Sequence, residues 1–262
     1  MAESSLSLGY PELRTAIGFY LGYGRTSGSW SAEAVLEIAE CLNAGLRQFY
    51  FPPPLGKNGV SHEWSFLRPT TTMDTAAADG DYDMPDNFGG LDGDMYYDTS
   101  ESKLGPIEII GEHQIRKMRE AGGGSTSGAP QYGAIRPKGG VGVAGQKQEL
   151  ILWPLPDAIY TLHYRYKVLA DALTSGAPYP YGGMAHAETI LASCLAVAEA
   201  RIEDEKGVKW QDFMERLAAS IEHDQKAMPP EKLGYNGDTS DGQLGAWSSS
   251  SGQRVTLNGA TY

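Results

Sequence analysis

A change of period divides this chain into three parts. From about Ser31 to Phe51, residues Val35, Ile38, Leu42, Leu46 and Phe49 recur at steps of three and four, the spacing of one helix face. The run stops at "FPPP" because proline cannot continue a helix. Before it, Pro11 and Glu12 suit the first turn of another helix, Leu13, Ile17, Tyr20 and Leu21 make its apolar stripe, and Gly22 and Gly24 end it. The helical period returns after "TSGAPYPYGG". Ala187, Ile190, Leu191, Cys194, Leu195, Ala198 and Ile202 form one stripe, and Trp210, Phe213, Met214, Leu217 and Ile221 another, with Gly207 between them. Both stripes are wider than a lone pair of helices can bury, so the C-terminal pair is expected to pack on the N-terminal pair.

Between about residues 70 and 177 the signals are those of strands and turns. "GPIEIIGEHQIRKMREAG" predicts a strand running into a short helix, and "PQYGAIRP" another strand, while "AGGGSTSGAP" and "KGGVGVAGQ" are loops by composition. The stretch "ELILWPLPDAIYTLHYRYK", residues 149–167, predicts a β-hairpin. Its second arm would carry Tyr160, Leu162, Tyr164 and Tyr166 on one face and Thr161, His163, Arg165 and Lys167 on the other. The expected fold is α+β, a discontinuous four-helix bundle with an inserted β-rich domain and an extended C-terminal tail. Its divisions fall at residues 1–70, 71–177, 178–230 and 231–262. The tail is Gly/Ser-rich and cannot form a core alone, yet Leu244, Trp247, Val255 and Leu257 are spaced like contacts to something else.

Several function classes are disfavoured. With 33 acidic against 21 basic residues the net charge is −12, which repels nucleic acid and anionic membranes. No apolar run approaches the length of a membrane span and "MAESSLSLGY" has no signal-peptide pattern, so a cytoplasmic site of synthesis is expected. Cys41 and Cys194 fall in apolar helical patterns, as buried free thiols do. "GVGVAG", Gly140 to Gly145, has dinucleotide-loop spacing but leads into a strand, and Gln146 replaces the lysine a phosphate loop needs, so no cofactor is expected. Asp74, Asp79, Asp81, Asp83, Asp86, Asp92, Asp94, Asp98 and Glu101 follow one another without an intervening Lys or Arg. "DGDYDMPDNFGG" starts like a calcium loop, but Met84 stands for the turn glycine and Gly90 for the bidentate glutamate, so no metal site is expected. The five histidines are scattered and no nucleophile motif is present, so no catalytic residues are assigned.

Five segments in order carry a resemblance: "AEAVLEIAECLNAGLRQFYFPP" leading to "HEWSFLRPTTTM", then "YDMPDNFGGLDGDMYY", "SGAPQYGAIRP", "GQKQELILWPLPDAIYTLHYRYKVLADAL" and "YGGMAHAETILASCLAVAEAR". Together, over about residues 10–230, they resemble the head-to-tail adaptor (connector) proteins of tailed bacteriophages. The resemblance implies a structural virion protein, without cofactor, that forms a ring, usually dodecameric, below the portal. The ring extends the DNA channel toward the tail, and DNA passes through it without tight binding. Implied partners are further copies of the chain, the portal protein and tail or neck proteins, with assembly in the host cytoplasm and a final place in the virion neck. On this reading Leu244, Trp247, Val255 and Leu257 belong to a portal-binding tail, and Asp79, Asp81, Asp83, Asp92 and Asp94 line the channel. Another neck or tail-tube gateway protein fits the same features. In a different class, the aspartate loops and exposed aromatics would suit a calcium- or carbohydrate-binding module.

Overall fold

The computed structural model describes residues 3–55, 61–101, 104–122, 126–139 and 145–227, with the backbone of 256–257 and 260–261. The glycine-rich stretch 140–144 and most of the residues after 227 lie outside the described residues. Contacts divide the chain into two units, Met1–Met228 and Pro229–Tyr262. In the second, the strands β9 (Thr256–Leu257) and β10 (Ala260–Thr261) pair antiparallel.

The helices begin where local chemistry dictates. Helix α1 (Tyr10–Tyr20) has Pro11 in its first turn, and the Glu12 carboxylate accepts the Gly9 amide at 3.1 Å. Leu13 and Ile17 are fully buried. Helix α2 (Ala32–Tyr50) is capped by Ser31, whose hydroxyl accepts the Ala34 amide at 3.2 Å. Its stripe of Ile38, Leu42, Leu46 and Phe49 is buried as the spacing predicts. A short helix α3 (Glu112–Ala121) lies in the β region, and helices α4 (Gly183–Glu203) and α5 (Val208–Ala227) follow it. Helix α4 is central: α1, α2 and α5 all pack on it.

Helices α2 and α5 run antiparallel to α4, as three contacts require. Ser193 donates its hydroxyl to the Gly45 carbonyl at 2.8 Å, Arg201 meets Glu40 at 2.7 Å one end further along, and Thr189 bonds Ser220 at 2.7 Å. Because α4 is surrounded, its buried surface is broader than a stripe and takes in His186, Thr189, Ser193 and Glu199. Ile202 corrects the sequence expectation: Glu199 already meets the first amides of α5, so the last turn of α4 runs past the start of that helix and this side chain is exposed.

The β region forms two sheets. In the first, β8 (Thr161–Val168) lies between β1 (Thr70–Asp74) on one side and β3 (Phe88–Leu91) and β4 (Tyr96–Tyr97) on the other. The second has the order β2 (Asp81–Asp83), β7 (Gln148–Trp153), β6 (Tyr132–Pro137), β5 (Glu108–Ile109), with β5 parallel to β6. Along β8, Leu162, Tyr164, Tyr166 and Val168 are buried in the same core as the α1, α2 and α4 stripes. Helix α3 covers the other sheet through Ile115, against Ala134 and Ile151.

The hairpin expected at residues 149–167 does not form. Its two arms exist as β7 and β8 but belong to different sheets. Pro154 and Pro156 have no N–H to offer a ladder, and Leu155 between them bonds a different segment, donating to the Thr126 carbonyl and accepting from the Gly128 amide at 2.9 Å each. The connection is thereby held away from a tight turn and crosses from one sheet to the other. The side-chain alternation read for the second arm is nevertheless present in β8, with its tyrosines inward.

Candidate assembly surfaces

The buried polar groups of the helical part are internal ties. Asp224 on α5, 2% exposed, is bonded by the hydroxyl and the amide of Ser65 and by His62 Nε2 at 2.8 Å. Burial pushes its carboxyl up, but the Ser65 bonds and His62 outweigh this and hold it below the usual carboxylate range. A nucleophilic serine needs a base that receives its proton. Ser65 instead donates to one carboxylate oxygen while His62 occupies the other, so this trio fastens the 61–67 segment to α5. On α4, His186 Nδ1 lies 3.2 Å from the Ser220 hydroxyl, and burial lowers its pKa. Glu199, also buried, reaches from α4 to accept the amides of Lys209 and Trp210 at 3.0 and 3.1 Å, so one helix caps the start of the next. Burial pushes the Cys194 thiol up to about 12, and Cys41 and Cys194 are both buried and free.

The acidic run lacks cations in sequence but not in space. Arg119 holds Asp81 at 2.8 Å and also donates to the carbonyls of Gly80 and Leu152. Lys138 holds Asp83 at 2.6 Å, Lys147 holds Asp86 at 2.8 Å, and Arg165 holds Asp92 at 3.1 Å. Asp98 accepts the Ser100 amide and meets His163 at 3.2 Å, which keeps its carboxyl at about 2. Asp79 accepts the Asp81 amide at 3.1 Å, and Asp94 is exposed. Asp79, Asp81 and Asp83 thus sit beside the second sheet, whereas Asp92 and Asp94 sit beside the first. Among the described residues no group of His, Cys, Asp or Glu is arranged to hold a metal ion.

Large apolar side chains stand exposed at both ends of the helical layer. At the end where α1 and α4 begin and α2 finishes are Leu6, Phe51, Tyr179, Tyr181 and Met184. There the Tyr10 amide bonds the Pro178 carbonyl at 2.7 Å, and the Tyr181 amide donates to the Tyr50 hydroxyl at 3.0 Å. At the opposite end are Phe19, Leu36, Ile202 and Val208, with Arg25 stacked on Phe19 at 4.5 Å. Beside them Thr15, Ala16, Phe19, Leu195 and Lys209 line a groove of about 620 Å³. Sequence reasoning did not single these residues out as a surface, and it placed Leu195 and Ile202 in a buried helix stripe. The one available signal was "YPYGG", aromatic residues outside any helical period. Of the predicted tail contacts, Leu257 lies in β9, while Leu244, Trp247 and Val255 fall outside the described residues.

Many ionisable groups are held in internal pairs, and aromatic and aliphatic side chains stand exposed at two opposite ends, features common at protein contact surfaces. The chain's class is that of virion assembly proteins. The chain belongs to the SU10 adaptor protein family, whose model matches residues 9–233, and is a bacteriophage head-to-tail adaptor in that general sense. No curated protein matches it. Among the described residues no helix is long and apolar enough to cross a membrane.

Proposed function

We propose that copies of this chain close into a ring in the virion neck, below the portal, where they extend the DNA channel and join it to the tail. The observation that carries this reading is the pair of exposed apolar ends on the helical layer, Leu6, Tyr179, Tyr181 and Met184 at one and Phe19, Leu36 and Val208 at the other. A protein held between two axial partners needs two such surfaces; Tyr supplies contact area with little entropy to lose, and the flexible thioether of Met adapts to an irregular partner. In this reading the four long helices act as one discontinuous bundle that carries the β region as an insertion. Leu244, Trp247, Val255 and Leu257 supply contacts to the portal. Heterologous contacts close into rings once the angle between subunits is templated. The purified chain is therefore expected to form a closed ring when mixed with portal, as read by native mass measurement. Deleting residues 231–262 should leave the helices folded by circular dichroism but abolish portal binding, and Trp247→Ala should weaken it. Persistent monomers beside unliganded portal would refute the proposal.

The acidic channel reading can be tested at single residues. Asp81, Asp83 and Asp92 hold cations of their own, so replacing them would break ties inside the β region. Asp94 is exposed and gives the cleaner substitution. Asp94→Lys should retard DNA ejection through a new phosphate contact, and added salt should relieve the defect by screening it. Ejection kinetics unchanged at low and high salt would place Asp94 outside the lumen.

A further inference from the structure

The edges of the two sheets differ in how they are protected. Strand β2 has three residues, and its Asp81 and Asp83 carry ion pairs; β5 and β4 have two each. Strand β3 is interrupted by a register shift between Phe88 and Gly90, and Met95 next to β4 is paired with Ile107. Short, bulged or charged edges are the usual devices that stop another chain from adding a strand. Strand β1 is longer and unbulged, and its one charge is the terminal Asp74. Its five residues, "TTTMD", pair with β8 in continuous register from Thr70↔Arg165 to Asp74↔Thr161, and contain no proline, lysine or bulge. Among the described residues no strand pairs with its other edge.

The direction of the free groups follows from the bonds on either side. The Tyr166 amide donates to the Pro69 carbonyl and the Thr75 amide to the Tyr160 carbonyl, so positions 69, 71, 73 and 75 face β8 in the alternation of an antiparallel ladder. Thr70, Thr72 and Asp74 therefore aim their amides and carbonyls away from β8. Met73 packs on the core, while Thr70, Thr72 and Asp74 have exposed side chains.

We infer that the edge of β1 accepts a strand from the C-terminal segment of a second copy of this chain, residues 254–257, "RVTL". The inference rests on the ring reading above and assigns one of its contacts. Three features favour this occupant. Val255 and Leu257 alternate with Arg254 and Thr256, so one face of such a strand continues the apolar side of the sheet beside Met73. Arg254 lies on the other face, the side on which β1 exposes Asp74. Thr256 and Leu257 already have strand conformation as β9, and residues 228–255 could span on the order of 90 Å when extended, enough to reach a neighbour. This reassigns Val255 and Leu257 from the portal to the neighbouring copy and leaves Leu244 and Trp247 for the portal.

The test uses the full chain carrying Thr72→Cys with Thr256→Cys, and separately Thr70→Cys with Thr256→Cys to allow for register, assembled with portal and oxidised. Cys41 and Cys194 are buried and do not compete. At least one pair is expected to give a covalent ladder of dimers and higher species on a denaturing gel, and the single variants none. Thr72→Pro removes only an outward amide, so it should leave the melting temperature of the monomer within a few degrees while weakening ring assembly at least tenfold. Rings of full mass with no ladder from either pair overturn the strand addition and leave the adaptor reading standing. Disulfides confined to single chains also overturn it. A chain that never assembles, with or without portal, sinks both.

Discussion

Gly45→Val is expected to be the most destabilising single substitution in the helical layer, with the chain still folded but close to its stability limit. Gly45 is the point where α2 and α4 touch, and a Cβ there would lie 2.6 Å from both the Cα and the Sγ of Cys194 and 2.8 Å from its backbone nitrogen. Two of these atoms are main chain in a helix enclosed by α1, α2 and α5, so the neighbour cannot rotate away. The helices would have to separate, breaking the Ser193 bond to the Gly45 carbonyl and loosening Leu42, Phe49 and Ile190. Fully burying one such side chain is worth roughly 1.5–3 kcal/mol, and the total stability of a domain is on the order of 5–15 kcal/mol. A loss of about 4 kcal/mol or more is therefore expected, read as a shift in the urea midpoint. Gly28→Val is the control, because nothing lies within 4 Å of the added Cβ. A loss under about 1 kcal/mol for Gly45→Val would mean that the two helices do not approach this closely.

Asp224→Ala should cost about 3 kcal/mol, since it strands the amide and hydroxyl of Ser65 and the His62 ring at a buried position. The same cluster sets an acid response in two stages. Burial lowers the pKa of His186, so at mildly acid pH the unfolded chain binds more protons than the folded one. Stability from this residue is then lost as pH falls below about 6.5. Asp224 is held below its ordinary range, so its contribution is present above about pH 4 and lost as pH falls through the folded value. Melting temperature against pH should decline first with His186 and then more steeply with Asp224. His186→Gln should flatten the decline between about pH 6.5 and 5. An identical slope in that variant would rule out His186 as its source.

The amino-acid sequence alone was enough for every element whose signal is local. The three- and four-residue steps of Ile38, Leu42, Leu46 and Phe49 state which face of α2 is buried, and Ser31 and the prolines after Phe51 mark its ends. The alternation of Leu162, Tyr164 and Tyr166 likewise states the inward face of β8, and the ordered segments of residues 10–230 carry the adaptor family.

What covers each buried face was decided only in the tertiary structure. A period of two makes β7 and β8 strands but does not say that they pair, and the bonds of Leu155 to the 126–128 segment send them to different sheets. The acidic run looked free of cations because Arg119, Lys138, Lys147 and Arg165 lie far along the chain from their aspartates. Glu199 showed no sign in sequence of capping another helix, and Phe19, Leu36 and Met184 gave no sign that helix ends would leave them in water. The physical reason is common to all of these. Periodicity and caps arise from backbone geometry over a few residues, whereas pairing across tens of residues is selected by the packing of the whole core, which no short window contains.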